Sequence, residues 1–402
     1  MANRNFNLSR RQIIRGMLAT AAFGVTAKFG TGCSPAQENT TESSQPRPNT
    51  TTSSTSGKPL IIGFIYVGAK DDFGYNQAHA EGAAGIAKLP GVKIVEQANV
   101  PETNEVQEAM RSMIEQDGAT VIFPTSFGYY DPHVLKMAQQ FPDVQFLHCG
   151  GLYKDGVHPK NVGTYFGYID EAQYVAGIVA GQTSKTGKLG FIAAKPIPQV
   201  LRNINSFTLG ARSVKPEVTT QVIFTGDWAE PVKEAESANS MADQGIDVLT
   251  SHVDSPKVIV ETAEKRGIFS SGYHASQASL APKGFLTGAE WDWTNVYTKY
   301  VQMIQEGKTT KDGGIPHLVR GGFKEGFLKM TPYGIAVGET SKKDADAAKA
   351  KFMEGTMVIY KGELKDNQGK VIIPANKDLV QTAIELEKMN WLVNGVVGSV
   401  SS

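Results

Sequence analysis

The chain of 402 residues is poor in cysteine and contains only Cys33 and Cys149. If Cys33 carries a lipid, Cys149 is the one remaining thiol, so no internal disulfide can form. Cys149 ends an apolar run, which predicts a buried core thiol rather than a nucleophile. A CxxC metal site is excluded, and the histidines show no ligand spacing. We therefore expect neither a metal nor a cofactor.

The formal net charge of the chain is zero, because 40 Lys and Arg residues balance 40 Asp and Glu residues. Such a chain has no global basic field, so we expect no nucleic-acid partner. The first predicted loop lacks G-x-G-x-x-G, and neither G-x-x-x-x-G-K-[ST] nor G-x-S-x-G occurs. These absences argue against an enzyme, although the adjacent acids Asp71 and Asp72 could mimic a catalytic pair.

A long hydrophobic run is missing from the N-terminus as well. The apolar stretch at residues 16–29 is too short for a membrane span and contains Lys28. It follows the pair Arg10 and Arg11, and residues 1–33 resemble a twin-arginine export signal. We therefore expect an exported protein.

The predicted signal ends in small residues before Cys33, as in the cleavage box of bacterial lipoproteins, with Gly30 where Leu is usual. We expect Cys33 to be lipidated. The alternative is a plain signal peptide with an incidental cysteine. Residues 34–58 are almost devoid of apolar side chains, which predicts a disordered tether between a membrane anchor and a folded body.

The folded body begins with a strand–loop–helix unit in residues 59–85. The continuous apolar run at 60–67 predicts a strand buried on both faces, and 77–89 predicts a helix lying on the sheet. Ligands of such sheets bind at the carboxyl ends of strands, which here is the loop at 68–76. The loop combines aromatic rings with polar groups and has no glycine cradle. This mixture suits a flat, polar-edged small molecule better than a phosphate.

The same pattern repeats along the chain. Further strands are predicted at 92–95, 119–123, 144–148, 161–165, 188–193, 218–225, 246–250 and 267–270, with helices between most of them. Alternating strands and helices imply parallel sheets covered by helices on both faces. The predicted fold class is therefore α/β, with two doubly wound parallel-sheet lobes joined by a hinge.

The chain is expected to cross between the lobes near residues 165–170 and again near 288–292. The predicted lobes are 59–166 plus about 290–316, and 167–289 plus about 317–402. The tail is predicted to form a helix at 344–353, a hairpin within 357–373 and an amphipathic helix at 378–389. Two lobes joined in this way leave a cleft that can close on a ligand.

Five sequence runs carry a resemblance to a known family. They are GFI at 63–65 with DFGYN at 72–76, PTSFG at 124–128, NVGTY at 161–165, GFIA at 190–193 and QGIDV at 244–248. In their order and spacing, from Lys58 to about Lys308, they resemble the basic-membrane-protein (BMP) family of substrate-binding lipoproteins. The resemblance implies the type I periplasmic-binding-protein fold, an ABC permease as partner and no enzymatic activity. It also implies a lipid-anchored protein at the extracytoplasmic face that binds a purine base or nucleoside, and we expect a monomer.

A purine has two aromatic faces and a rim of donors and acceptors, so its site needs aromatic plates and a few polar groups. Tyr75 and Phe127 are the candidate plates. Asn76 can pair with a base edge, and Asp72 can accept from an exocyclic amine. The full set of candidate ligand-binding residues is Asp72, Phe73, Tyr75, Asn76, Ser126, Phe127, Arg202, Trp228, Asp254, His274 and Trp291.

Several of these residues have an alternative role. Asp254 could cap the helix that follows it, and Phe127 could be the lid of a core. His274 could be a surface residue, and Arg202 could lie on a solvated helix face. Trp291 alternates with a second tryptophan two residues later, so at most one of the two is expected to face the cleft.

The sequence departs from the nucleoside-binding members of the family at two places. Those members have an acidic residue after the strand at 268–271 and a lysine near the second crossing, and both hold the ribose. Here Tyr273 or His274 takes the first place and Trp291 the second. The departure favours a free base such as adenine over a nucleoside. A ligand-sensing receptor for another heterocycle and a nucleoside-processing enzyme stay open as alternatives.

Overall fold

The computed structural model describes residues 58–400. The predicted export signal, nearly all of the predicted tether and the candidate lipidation site Cys33 lie outside the described residues. Within residues 58–400, no helix combines the length and the apolar character that a membrane span requires. The structure therefore describes the predicted folded body and not the predicted membrane anchor.

The strands, in chain order, are β1 (Leu60–Ile65), β2 (Val92–Gln97), β3 (Val121–Pro124), β4 (Gln145–Cys149), β5 (Val162–Gly167), β6 (Lys188–Ala193), β7 (Thr219–Phe224), β8 (Val248–His252), β9 (Phe269–His274), β10 (Phe285–Trp291), β11 (Leu318–Gly321), β12 (Leu328–Met330), β13 (Tyr360–Lys361), β14 (Leu364–Lys365), β15 (Val371–Ile373), β16 (Asp378–Leu379) and β17 (Val396–Val397). The α-helices are α1 (Tyr75–Ile86), α2 (Glu105–Glu115), α3 (Leu135–Gln140), α4 (Asp170–Thr183), α5 (Pro198–Val214), α6 (Pro231–Asp243), α7 (Lys257–Arg266), α8 (Trp293–Gln305) and α9 (Glu339–Glu354).

The large strands form two sheets, one in each lobe. The first has the order β11-β5-β4-β3-β1-β2, with every neighbouring pair parallel. The second has the order β12-β10-β9-β8-β6-β7-β17, and only the β10–β12 pair is antiparallel. This arrangement confirms the predicted α/β fold class. In each sheet the strand order reverses beside the first strand of the lobe, at β1/β3 and at β6/β8, and ligand crevices of doubly wound sheets form at such points.

The continuous apolar runs become central strands because both faces of each sheet are covered. Successive residues of a strand point to opposite faces. In β1, Phe64 packs with Ile86 of α1 in one core cluster, whereas Ile65 packs with Met110 of α2 in another. On the neighbouring strand, Phe123 pairs with Phe64 in register, and their rings stack at 4.8 Å. The core thus lies on both sides of the sheet and holds the strand ends that face the cleft.

The second lobe depends on a close contact between α4 and α5. A β-carbon on Gly177 of α4 would meet the carbonyl oxygen of Phe207, and one on Gly210 of α5 would meet the carbonyl oxygen of Tyr174. Backbone atoms cannot move aside as a flexible side chain can, so glycine is required for the two helices to touch.

We expect Gly177→Ala to destabilise the soluble body by about 1–3 kcal/mol, the usual cost of overpacking a well-packed interior. Urea denaturation measures the change in unfolding free energy. Gly338→Ala is the matched control, because the space around Gly338 is open and its φ of −72° suits alanine. Equal stabilities of the two variants would contradict the helix-contact argument.

Within residues 58–400 the chain crosses between the sheets three times. The crossings after β5 and after β10 lie where the sequence predicted them, and α8 then packs against α1 of the first lobe. The sequence-based boundary near residue 316 is too early, because β11 pairs with β5 in the first sheet. The third crossing follows β11 and leads to β12 in the second sheet. The short strands β11 and β12 have too few apolar residues to be recognised from the sequence.

The tail confirms two predictions and corrects a third. Helix α9 contains the helix predicted at 344–353. Strands β14 and β15 form an antiparallel hairpin whose turn contains Gly369 at a φ of +86°. The amphipathic helix predicted at 378–389 is wrong, since this segment contains β16 and a single 3₁₀ turn at Leu386–Lys388. Leu386 and Met389 are buried at a spacing that also suits a helix, so the periodicity was ambiguous.

Candidate functional site

A cavity of about 160 Å³, here called the inner chamber, lies between the lobes at the carboxyl ends of the strands. Its walls are formed by Val67, Tyr75, Glu102, Ser126, Phe127, Cys149, Gly150, Phe166, Ile197, Gln199, Trp228, His252, Asp254 and His274. Both lobes contribute, and six of the eleven predicted site residues are present. The volume corresponds to about five water molecules at roughly 30 Å³ each, which is small for a binding pocket.

Tyr75 begins α1 and connects the two lobes. Its hydroxyl donates to the carbonyl oxygen of Thr125 at 2.6 Å, and its backbone N–H donates to the carbonyl oxygen of Asp254 at 2.8 Å. The edge of its ring meets His274 with the ring centroids 5.3 Å apart. The hydroxyl is therefore already engaged, and the ring is the part of Tyr75 that can contact a ligand.

Phe127 is the most available aromatic group of the chamber. It follows β3 and is 72% exposed, so the alternative that it covers a core is wrong. A β-carbon on Gly150 would come within 3.2 Å of its ring, and Gly150 has a φ of +89°. Glycine at that position leaves room for the phenyl ring at the mouth of the chamber.

Ser126 is held by an acidic residue that the sequence analysis did not select. Its hydroxyl donates to Glu102, which also accepts from the backbone N–H of Gly128 at 2.8 Å. Glu102 itself lines the inner chamber. Because Glu102 lies before α2 in a loop without any motif, only the tertiary contact reveals it.

The second lobe contributes Trp228, after β7, and His252, at the end of β8. Their ring centroids lie 5.9 Å apart, and the ammonium group of Lys195 lies 5.8 Å from the indole centroid. Trp228 is partly exposed and lines the chamber. It therefore lies in a loop, as the sequence predicted, and packs against the edge of the core.

Asp254 differs from the other polar residues of the chamber. Helix α7 begins after Pro256 with no side-chain cap, so the capping role considered for Asp254 is wrong. Among residues 58–400, its carboxylate has no hydrogen-bond or ion-pair partner. Burial, followed by the negative charges of Asp72 and Glu102, raises the pKa of Asp254 to about 7. The carboxyl group therefore changes its charge near neutral pH.

The chamber histidines are neutral. Burial lowers the pKa of His252 to about 3 and holds the pKa of His274 well below its ordinary value, with a further contribution from the neighbouring His252. The indole N–H of Trp291 donates to Nδ1 of His274 at 2.8 Å. A neutral ring that accepts at Nδ1 carries its hydrogen on Nε2, so this contact fixes the tautomer of His274. The alternative of a surface role for His274 is wrong.

Trp291 does not line the chamber, which corrects its predicted role as a ligand contact. It is buried behind His274 and stacks on Trp293 at 4.7 Å, and Trp293 stacks on His79 at 5.0 Å. Trp293, the first residue of α8, does not line the chamber either, which agrees with the expectation that at most one of the two tryptophans faces the cleft. Trp291 therefore positions His274.

Asp72 and Asn76 are also displaced from their predicted roles. The carboxylate of Asp72 accepts from the backbone N–H groups of Gly74, Asn76 and Gln77, and from the side-chain amide of Asn76, at 2.8–3.0 Å. These four bonds fill the acceptor sites of a carboxylate. The amide oxygen of Asn76 accepts from Gly68 N–H at 3.1 Å. Both residues therefore shape the loop and the start of α1, and neither lines the chamber.

Phe73 belongs to an interlobe latch, defined here as three hydrogen bonds from residues 72–75 to the second lobe. The carbonyl oxygens of Phe73 and Asp72 accept from Gln277 and Ser255, and the third bond is the one from Tyr75 to Asp254. The ring of Phe73 lies outside the chamber, with the ammonium of Lys257 at 5.7 Å. Its predicted role as a ligand contact is therefore replaced by a role in holding the lobes together.

Arg202 lines a second cavity of about 490 Å³, the outer chamber, which adjoins the inner one. It is buried, so the solvated-face alternative is wrong. Its guanidinium pairs with Asp170 at 3.3 Å and with Glu387 at 3.0 Å. Glu387 comes from the tail, which the sequence analysis did not connect with the cleft.

Cys149 is buried, as predicted for a core thiol, but it lines the inner chamber. Burial raises its pKa to about 12, so the thiol is protonated and unreactive as a nucleophile. No group of three or more potential metal-ligating side chains is found in residues 58–400. The inner chamber is therefore lined by aromatic and polar side chains and by one protonated thiol.

The fold has counterparts among solved structures. The structure of an ABC transporter solute-binding protein from Conexibacter woesei is similar with a TM-score of 0.63 and 21% identity, covering 74% of this chain and 97% of that one. This likeness shows the fold, which is the type I periplasmic-binding-protein architecture.

The family follows from the sequence comparisons. The PnrA-like ABC transporter substrate-binding protein family matches residues 60–361. A purine-binding protein of Brucella abortus is 35% identical over 339 residues, covering 84% of this chain and 93% of its own. A putative ABC transporter glucose-binding protein of Haloferax volcanii is 28% identical, covering 86% of this chain and 82% of its own. The chain belongs to this family and is an ABC transporter substrate-binding protein, which confirms the resemblance noted above.

Proposed function

We propose that the inner chamber binds a purine base such as adenine, or the base of a purine nucleoside, and that the protein delivers it to an ABC permease. The carboxylate of Asp254 carries this proposal, because it faces an aromatic chamber and has no partner among residues 58–400. Asp254 is half-buried, and a carboxylate partly shielded from water without a partner is costly. A ligand N–H group would remove that cost.

The remaining walls suit the same ligand. Phe127 from the first lobe and Trp228 from the second provide aromatic surface for the two faces of a flat ring. His252 accepts at Nδ1 from the amide of Asn203 at 2.8 Å, so its hydrogen is on Nε2. The hydroxyl of Tyr273 lies 3.2 Å from Nε2, and an acceptor of the ligand would take the place of that hydroxyl. A purine edge presents both donors and acceptors, and Asp254 with His252 offers the complementary pair.

The location and assembly belong to the same proposal. The twin-arginine run and the small residues before Cys33 support export and lipidation at that cysteine. A monomer anchored at the extracytoplasmic face could capture its ligand by closing the lobes and then present the closed form to the permease. Family membership supports transport over catalysis, so we propose a binding protein without enzymatic activity.

Thermal unfolding of residues 58–402 tests the proposal against adenine, guanine, adenosine, guanosine and glucose. A ligand that binds only the native state stabilises it by about 2.7 kcal/mol at a hundredfold excess over its dissociation constant. We expect a rise in Tm with at least one purine base and none with glucose. A rise with glucose alone would overturn the purine assignment, and nucleosides binding more tightly than bases would contradict the preference for a free base.

A further inference from the structure

The outer chamber is larger than a purine base requires. Its volume is about 490 Å³, against 160 Å³ for the inner chamber. The two share the wall residues Phe127, Gly150, Phe166, Ile197 and Gln199. They are therefore two compartments of one cleft, and a ligand whose ring fills the inner chamber can extend a substituent into the outer one.

Arg320, in β11, lines the outer chamber without an acidic partner. Its guanidinium donates to the carbonyl oxygens of Val319 at 3.0 Å and Gly151 at 2.8 Å. In the described part of the chain, no carboxylate lies within ion-pair distance of it. Two of its five N–H groups are thus engaged, and Glu387, which pairs directly with Arg202, acts on the charge of Arg320 only from beyond ion-pair distance.

The other arginine of the chamber provides the contrast. Arg202 is paired with Asp170 and Glu387, so that side has one cation and two acids. The first-lobe side has Arg320 and Lys154 against Asp131 alone. The chamber as a whole is balanced, but its charge is polarised, with the excess positive charge beside Arg320.

We propose that the outer chamber binds an anionic group of the cargo, a carboxylate or a phosphate, and that Arg320 is the residue that holds it. The planar fork of a guanidinium matches both groups and can pair with two of their oxygens. This inference rests on the proposed function, because the ring of the same cargo occupies the inner chamber. The natural ligand is then an acidic derivative of the heterocycle.

Isothermal titration of residues 58–402 with four ligands tests the proposal: adenine, adenosine, adenosine 5′-monophosphate and adenosine 5′-carboxylic acid. We expect at least one of the two acids to bind ten times more tightly than adenosine, with affinity falling as salt rises. The order of the two acids decides between phosphate and carboxylate. If adenine binds but both acids bind no more tightly than adenosine, the inference about Arg320 is overturned and the proposed function is left intact. Failure of all four ligands would overturn both.

Arg320→Gln tests how much the guanidinium of Arg320 contributes to the binding of the acid. We expect it to remove the tenfold advantage of the acid while changing the affinity for adenine less than twofold. Arg320→Lys keeps the positive charge but not the planar guanidinium, so we expect it to retain part of the tighter binding of the acid. Such partial binding would show that the loss in the glutamine variant does not come from misfolding. Lys154→Gln is the matched control, since Lys154 lines the same chamber but is exposed. An equal loss in the Lys154 and Arg320 variants would contradict a specific role for Arg320.

Discussion

Asp254→Asn is expected to weaken purine binding at pH 8 by at least tenfold and to make the affinity nearly independent of pH. In the native protein the pKa of Asp254 is about 7, raised by burial and by the charges of Asp72 and Glu102. A ligand N–H group bonds to the ionised carboxylate. The fraction of protein molecules with an ionised Asp254 therefore rises from about one tenth at pH 6 to about nine tenths at pH 8. The affinity for the purine rises about tenfold over the same range.

The same substitution is expected to stabilise the ligand-free protein. The folded pKa of Asp254 lies above the unfolded value of 3.8, so its contribution to stability is fully present below that value. The contribution is lost as the pH rises through about 7. Asparagine carries no charge, and we expect the variant to gain roughly 2–4 kcal/mol of unfolding free energy at pH 8 and little at pH 4.

Titration calorimetry between pH 6 and 8, together with denaturation of the ligand-free protein, measures both effects. Asp71→Asn is the control, because Asp71 is an exposed carboxylate in the loop before α1 and does not line either chamber. We expect it to change neither quantity. A steep pH dependence that persists in the Asp254 variant would assign the titrating group elsewhere.

Gly74→Ala is expected to reduce ligand affinity by about 5–150-fold while leaving the ligand-free protein folded. A β-carbon on Gly74 would meet the carbonyl oxygen of Asp254, which is the acceptor of the latch bond from Tyr75. The atom in the way is backbone, so the lobes must separate locally to accommodate it. The substitution therefore destabilises the closed state by about 1–3 kcal/mol and leaves the open state unchanged. Because the ligand binds the closed state, the affinity falls.

Calorimetry gives the affinity, and small-angle X-ray scattering of the ligand-free protein reports the separation of the lobes. Ser255→Ala is a graded comparison, because it removes one latch bond to Asp72 without adding an atom to the contact. We expect Ser255→Ala to reduce the ligand affinity by less than tenfold. Wild-type affinity in the Gly74 variant would show that the latch does not have to form when the ligand binds.

The amino-acid sequence was sufficient for the fold class, for two of the three crossings and for the loops at strand ends. Apolar runs such as β1 and β6 are buried on both faces, and this burial depends mainly on local composition. The same reasoning placed Tyr75, Phe127 and Trp228 in the right loops. Asp72, Phe73 and Asn76 lie in the predicted loop region after β1 and Trp291 ends β10, but none of the four lines the chamber.

Only tertiary packing decided which polar groups are left without partners. Asp72 and Asp254 are both acids after strands, yet Asp72 accepts four hydrogen bonds at the start of α1 whereas Asp254 faces the chamber. Arg202 and Arg320 differ in the same way, because the acids that pair with Arg202 come from α4 and from the tail. A local pattern specifies the chemistry of a side chain, whereas its partners come from segments distant in the chain. The unpaired groups that define a binding site therefore emerge only when those segments meet.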